Sequence, residues 1–261
     1  MPGPVGSGAV SFDVPADAYD QFMGRFSGPL AGRFAAWLRL VPGQRVLDVG
    51  CGPGALTEVL VAKLGAGSVS AIDPSESFAT AVRERMPGVD VRFGVAEALP
   101  WADNFFDCAA AQLVVHLMSD PLAGISQMVR VTRPGGTVAA TVWDFAGGTA
   151  PASAFWRAAR EVASPAPGEA DLSGAADGHL AGLLRQAGLG EVESAVLTVS
   201  LRLSSFEEWW EPFTLGVGPP GSYLASLDGE QRAAVRDACA RLLPSGPFTM
   251  SVRASTVRGR A

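Results

Sequence analysis

A short glycine-rich loop between an apolar strand and a helix constrains the fold of this chain more than any other feature. The strand pattern Val46–Val49 runs into Gly50, Gly52 and Gly54, and a helical pattern begins directly after them. Glycine permits a sharp turn and lets a ligand approach the backbone closely. The helix behind the loop would present unpaired N–H groups and a partial positive charge. The sequence therefore predicts a strand–helix unit with a ligand site at the carboxyl end of its strand.

Two acids at predicted strand ends narrow the choice of ligand. Asp48 lies at the end of the first strand, and Asp73 ends the second. An acid after the second strand can accept hydrogen bonds from the ribose hydroxyls of a nucleotide cofactor. The negative charge of Asp48 would repel a pyrophosphate, whereas it would attract the cationic amino group of a cofactor. Gly50, Gly52 and Ala55 also fit G-x-G-x-x-A, the relaxed form of the motif that binds dinucleotides, so an NAD-dependent dehydrogenase remains an alternative.

Strand and helix patterns alternate along the first half of the chain, which predicts the α/β class. We expect a doubly wound, mostly parallel, seven-stranded, Rossmann-like sheet with an antiparallel last strand and a helical cap. Pro29 is expected to split the helical segment 17–40 into two helices. The predicted strands are Val46–Val49, Val69–Ile72, Val91–Val95, Phe106–Leu113, Thr137–Val142, Val192–Leu203 and Phe248–Val257.

The domain organisation follows from composition. Residues 1–16 are rich in glycine and proline and are expected to be a disordered tail. Residues 17–261 form one domain in this interpretation. Within it, residues 204–246 are a cap insertion between the last two strands, with a Gly/Pro loop followed by a helix near Gly229–Leu243.

Charge and cysteine content exclude several functions. The net charge of −6 and the pI near 5.0 disfavour a nucleic-acid partner. No apolar run approaches the ~20 residues of a membrane helix, so no membrane insertion is expected. Three widely spaced cysteines predict no disulfides, and the absence of a secretory leader pattern predicts a cytoplasmic protein. With two histidines and no C-x-x-C pair, no metal site is expected.

Five motifs in order carry a resemblance over roughly residues 19–145. They are Leu47–Gly54, Asp73–Phe78, Ala96–Trp101, Asn104–Asp107 and Arg133–Gly136. In them the chain resembles the class I S-adenosylmethionine-dependent methyltransferases, in particular the ubiquinone/menaquinone-methyltransferase-like (methyltransferase type 11) group. The resemblance implies S-adenosylmethionine as cofactor and methyl transfer to a small-molecule acceptor, apolar or aromatic. The acceptor atom and the oligomeric state are left open.

The resemblance also assigns cofactor contacts residue by residue. It implies that the glycine loop packs under the methionine portion, that Asp73 holds the ribose, and that Gln112 meets the methionine end. Relatives usually carry Asp where this chain has Val95, so Glu97 or a backbone carbonyl would have to receive the adenine amino group. The implied cofactor residues are Asp48, Gly50, Cys51, Gly52, Gly54, Asp73, Pro74, Phe78, Ala96, Glu97 and Gln112, with Tyr19, Met23 and Arg25 closing over the cofactor.

No residue pattern identifies a catalytic dyad. His116 follows the fourth strand and is a candidate general base or acceptor contact, with a structural role as the alternative. Trp209, Trp210 and Phe213 are candidates to line the acceptor pocket, with the private core of the cap as the alternative. A cofactor-binding protein without transfer, such as a cyclase, carrier or regulatory module, is the competing function.

Overall fold

The computed structural model describes residues 20–162, 166 and 168–261, so the predicted tail 1–16 and Tyr19 lie outside the described residues. Its strands are β1 Val46–Val49, β2 Val69–Asp73, β3 Asp90–Phe93, β4 Phe106–Gln112, β5 Thr132–Trp143, β6 Gly190–Leu203 and β7 Phe248–Arg260. Its α-helices are Arg25–Leu38, Ala55–Leu64, Glu76–Arg85, Pro121–Val131, Ser153–Val162, His179–Gln186, Phe206–Trp210, Gly218–Ser226 and Gly229–Leu242.

The seven strands form one sheet in the order β3-β2-β1-β4-β5-β7-β6. The pairs from β3 to β5 are parallel, and β7 runs antiparallel to both β5 and β6. The predicted fold class is therefore confirmed, including the antiparallel last strand. Because β1 lies between β2 and β4, its carboxyl end is next to those of both neighbours, and ligands of open α/β sheets bind at such an edge.

Apolar residues cover both faces of the sheet. In β4, Cys108 and Ala110 pack with Phe34 and Leu60 on one face. The intervening Ala109 and Ala111 pack with residues of helix Pro121–Val131 on the other. This alternation explains why β4 is a continuous apolar run, as expected of a parallel strand covered by helices on both sides.

The first helix corrects one expectation. Pro29 does not divide the segment, because helix Arg25–Leu38 runs through it. The irregular part lies earlier, in a π-helical turn over Asp20–Gly24. Pro29 is the fifth residue of this helix, and its missing N–H falls near the junction with the π-helical turn, where the regular hydrogen-bond ladder is already interrupted.

The cap has its own hydrophobic cluster. It joins helix Ser153–Val162 with the helices of segment 204–246. The predicted Gly/Pro loop is wrong, because residues Gly218–Ser226 are helical and their prolines occupy the first turn, which tolerates proline. Phe22 also joins this cluster, with its ring 4.9 Å from that of Phe213, so the N-terminal helical segment packs on the cap. None of the helices in the described ranges is both long and apolar enough to cross a membrane.

Candidate functional site

The glycine loop lies at the carboxyl end of β1, and its three glycines have different roles. All three have positive φ. A Cβ at Gly50 would clash with Val114, and one at Gly54 would lie 2.7 Å from the terminal carbon of Met86. A Cβ at Gly52 would meet nothing within 4 Å. Gly50 is thus required by packing and Gly54 by its positive φ, whereas Gly52 leaves an open face above the loop that a ligand can occupy.

Asp73 ties the glycine loop to the end of β2. Its Oδ2 accepts from the Gly52 N–H at 2.7 Å, and its Oδ1 accepts from the Ser75 N–H at 2.8 Å. Burial raises the pKa of Asp73, although these two backbone N–H groups oppose the shift. The carboxylate therefore lies directly beside the open face at Gly52, the position predicted for a ribose contact.

Asp48 is a buried acid with half of its hydrogen-bonding capacity unused. Its side chain is 1% exposed, and its Oδ2 accepts from the Thr57 hydroxyl at 2.6 Å. Oδ1 is enclosed and has no hydrogen-bond partner among the described residues. Burial raises the pKa of Asp48 to about 7, with repulsion from Asp73 adding to the shift. A buried acceptor without a donor is costly, so this oxygen is suited to receive a donor from a ligand.

Gln112 presents a second unused acceptor on the strand beside Asp48. Asp48 is in register with Ala110 of β4, so Gln112, two residues further on, lies on the same face of the sheet. Its Nε2 donates to the Ser27 carbonyl at 3.1 Å, which fixes the amide orientation. In the part of the chain that the structure describes, the enclosed Gln112 Oε1 and Ser27 Oγ have no partner. Asp48 Oδ1, Gln112 Oε1 and Ser27 Oγ are thus three enclosed oxygens without a partner among the described residues.

Arg25 and Met23, the predicted closing residues within the described ranges, pack toward the cap. The Nη1 of Arg25 donates to the Glu208 carbonyl at 3.0 Å and lies 4.0 Å from the Glu208 carboxylate. Its enclosed Nε has no partner in the described ranges, and burial lowers the pKa of Arg25. Met23 packs against the cap cluster. Arg25 thus connects the first helix to the cap and keeps one donor available.

The predicted adenine-side residues lie around the ends of β2 and β3. Phe78 and Ala96 are buried, whereas Pro74 is exposed. Val95 is 45% exposed and offers no acceptor. The half-buried Glu97 accepts from the Asp120 N–H through Oε1 at 3.2 Å. One oxygen of Glu97 is therefore engaged in holding the start of helix Pro121–Val131.

His116 is close to the sheet edge but is a poor base. Its ring packs edge to face against Phe145, with centroids 5.2 Å apart. Its Nδ1 is enclosed and lacks a partner in the described chain, and burial lowers the pKa of His116 to about 4. The imidazole is neutral at pH 7, and a group with so low a pKa accepts protons weakly.

The cap aromatics are buried in the cluster of the cap itself. Trp209, Trp210 and Phe213 are among its buried members, and the Phe213 ring stacks on Phe155 at 5.0 Å. This placement supports the structural alternative over an acceptor-lining role. Cys51 is likewise a buried free thiol whose pKa is raised by burial, which favours a packing role over nucleophilic chemistry.

Two residues of the site, Ser27 and Trp143, could not be predicted from the sequence pattern. Ser27 contributes both the carbonyl that binds Gln112 and an unused hydroxyl, through a contact 85 positions apart in sequence. The indole N–H of Trp143, at the end of β5, is also enclosed without a partner in the described ranges. In those ranges, no group of three or more His, Cys, Asp or Glu side chains is arranged to hold a metal.

One cavity of the described structure lies away from this site. It has a volume of about 250 Å³ and is found at the amino ends of the strands, lined by Leu38, Cys108 and Thr137 among others. Arg258, on its wall, already pairs with Glu193 at 2.7 Å. We therefore place the functional site at the carboxyl ends, where the unused polar groups are.

Part of the chain matches a known protein family and its curated members. Residues 47–140 match the family described as "Methyltransferase domain". The demethylmenaquinone methyltransferase of Renibacterium salmoninarum is 37% identical over 136 residues, which cover 49% of this chain and 55% of that protein. The chain thus spans about half the length of this curated relative.

Solved structures share the fold at low sequence identity. The YcgJ protein of Bacillus subtilis superposes with a TM-score of 0.57 at 15% identity, over 88% of this chain and 97% of that one. The [4+2]-cyclase SpnF superposes with a TM-score of 0.55 at 21% identity, over 99% of this chain and 89% of that one.

Proposed function

We propose that this chain, whose residues 47–140 match a methyltransferase domain family, is a class I S-adenosylmethionine-dependent methyltransferase that binds S-adenosylmethionine and transfers its methyl group to a small molecule. The observation that carries the proposal is the set of enclosed, unused acceptors at the carboxyl ends of β1 and β4. Asp48 Oδ1 and Gln112 Oε1 lie on neighbouring strands and on one face.

The two unused acceptors favour a cationic ligand group. A carboxylate and an amide carbonyl both accept hydrogen bonds, and the bond from Gln112 Nε2 to the Ser27 carbonyl fixes the amide with its Oε1 unpartnered among the described residues. The α-ammonium of the methionine portion supplies the donors that these oxygens lack. The same arrangement argues against NAD, because its pyrophosphate would face the buried carboxyl of Asp48.

The remaining cofactor contacts are assigned by position. We assign the ribose hydroxyls to Asp73, beside the open face of Gly52, and the methionine carboxylate to the free Nε of Arg25. Phe78 and Ala96 supply apolar surface near the adenine. The adenine amino group is left to the second oxygen of Glu97 or to a backbone carbonyl, because Val95 cannot accept a hydrogen bond. We propose the same closing role for Tyr19 and Met23.

Chemistry at this site rests on alignment and exclusion of water. The bound cofactor would supply a methyl group that its sulfonium already activates. The chain would hold the acceptor in line behind the S–CH3 bond and keep water out with the cap. The neutral His116 can orient an acceptor, and its low pKa makes it unsuited to strong base catalysis.

The acceptor in this proposal is a small apolar or aromatic metabolite. The relative named as a demethylmenaquinone methyltransferase supports an aromatic ring as acceptor. We include a cytoplasmic location in the proposal, since the three free cysteines are buried as thiols. The net charge of −6 supports a non-nucleic-acid substrate.

One experiment distinguishes a methyltransferase from a protein that binds the cofactor without transferring its methyl group. The SpnF cyclase shares the fold, so the fold alone leaves open a cofactor-binding protein without transfer. We would incubate the protein with radiolabelled methyl donor and either demethylmenaquinone or a small-molecule extract. The proposal predicts label in the organic fraction. Calorimetric binding of S-adenosylhomocysteine without any transfer would favour the binding-only alternative, and absence of binding would refute the site.

A further inference from the structure

A second, smaller cavity lies between the carboxyl edge of the sheet and the cap. Its volume is about 60 Å³, which suits a small polar group rather than a whole metabolite. One of its walls, Phe145, is the ring that packs on His116. The cavity is therefore on the side of the sheet where the proposed transfer occurs. Its lining includes Phe145, Ser153, Trp156, Arg160, Glu169 and Ala170.

Glu169 is the acidic residue among the described residues that line this cavity. Its side chain is 8% exposed, and its Oε2 accepts from the indole N–H of Trp156 at 2.6 Å. That bond is the only hydrogen bond of the carboxyl group within the described ranges, and no cation of those ranges pairs with it. Burial raises the pKa of Glu169 to about 7. Glu169 is thus a largely buried acid whose second oxygen, Oε1, is not fully enclosed and receives no hydrogen bond from the described residues.

The residues that line the cavity favour a ligand group that donates a hydrogen bond over an anionic group. Phe145 and Trp156 are buried and place aromatic surface beside the carboxyl group. Aromatic faces and a carboxylate together attract an ammonium group and repel a carboxylate. Arg160, the one cation of the lining, is exposed on its helix and makes no ion pair with Glu169.

We propose that Glu169 recognises the methyl acceptor by binding an amino group, or another small N–H or O–H donor, that the acceptor places in this cavity. This inference rests on the proposed function and narrows its substrate class to acceptors with such a donor on an apolar body. Glu169 is a specificity residue in this account. It binds the acceptor, and no proton transfer is assigned to it.

The test uses the full chain saturated with S-adenosylhomocysteine and methylammonium as probe. Saturation-transfer NMR on the methyl protons of methylammonium reports binding directly. We expect saturable binding in the wild type and a loss of roughly tenfold or more in Glu169→Gln, because a charge-assisted bond is removed. Glu161→Gln is the matched control, since Glu161 is exposed on the adjacent helix and paired with Arg241 at 3.7 Å. It should leave binding unchanged.

The outcomes distinguish this inference from the proposed function. If S-adenosylhomocysteine fails to bind, the proposed function itself is refuted. If it binds and methylammonium affinity is the same in Glu169→Gln as in the wild type, the role of Glu169 is refuted. Acetate is the second probe and needs no variant, so it keeps the test valid if Glu169→Gln does not fold. Acetate binding in preference to methylammonium in the wild type would also overturn the proposal.

Discussion

Replacing Asp48 by asparagine should stabilise the unliganded protein at high pH while weakening cofactor binding. The carboxyl group of Asp48 is buried, one of its oxygens is unused, and its pKa is raised from 3.8 to about 7. Because the folded state holds this proton more tightly than the unfolded state, the ionisation penalty grows as the pH rises from about 4 to 7. Below about pH 4 the penalty is absent.

The expected magnitude follows from the pKa difference. With about 1.4 kcal/mol for each pKa unit, the penalty on folding is about 4 kcal/mol at pH 8 and about 1.5 kcal/mol at pH 5. The asparagine side chain of the variant would carry no such penalty, although its amide N–H would lack a partner and cost roughly 1–3 kcal/mol at either pH. The stability of Asp48→Asn relative to wild type should therefore increase by about 2.5 kcal/mol between pH 5 and pH 8.

Urea unfolding of both proteins at the two pH values measures this double difference. Asp73, Glu169 and His116 also have shifted pKa values, and comparing the two proteins removes their contributions to first order. Asp177→Asn, at an exposed position, serves as control. If the stability difference between wild type and Asp48→Asn stays constant between pH 5 and pH 8, Asp48 is not the strained acid described here.

Three further substitutions test the loop, the ribose contact and the cap. Gly52→Val should fold but lose S-adenosylhomocysteine binding, as measured by calorimetry. Gly188→Val, at a similarly open glycine with positive φ, is the control and should keep the binding. Tight binding by Gly52→Val would contradict the loop assignment. Asp73→Ala should weaken S-adenosylhomocysteine roughly tenfold or more, and an unchanged calorimetric affinity would remove Asp73 from the site. Trp210→Ala should lower the free energy of unfolding, measured by denaturant titration, by roughly 3–5 kcal/mol. The variant protein that still folds should methylate the same acceptors as the wild type. Altered acceptor selectivity without lost stability would support the acceptor-lining role instead.

The sheet was predictable because its strands carry strong local patterns. Val46–Val49 is a mostly apolar run followed by glycines, and the centre of β4, Cys108–Ala111, is apolar on both faces. The positions of Asp48 and Asp73 were predictable for the same reason, because the carboxyl ends of parallel strands lie at one edge of the sheet. These features depend on residues close together in sequence, which a pattern can detect.

The rest of the site depends on contacts between distant residues. The bond from Gln112 to Ser27 joins β4 to the first helix, and Glu169 meets Trp156 only after the cap has folded. Local rules also misled at Gly218–Ser226, where prolines in the first turn are compatible with a helix, and at Pro29, which lies inside a helix that continues from a π-helical turn. Whether cap aromatics line a pocket or fill a core is decided by packing, which composition does not encode.

The most direct test of the site compares two ligands that share the nucleoside. S-adenosylhomocysteine carries the α-ammonium, whereas 5′-methylthioadenosine lacks the whole amino-acid portion. Calorimetry should show at least roughly tenfold tighter binding of S-adenosylhomocysteine to the wild type, and a much smaller ratio for Asp48→Asn. Equal affinities of the wild type for the two ligands, or tighter binding of NAD than of either, would contradict the assignment of Asp48 and Gln112 to the cofactor ammonium.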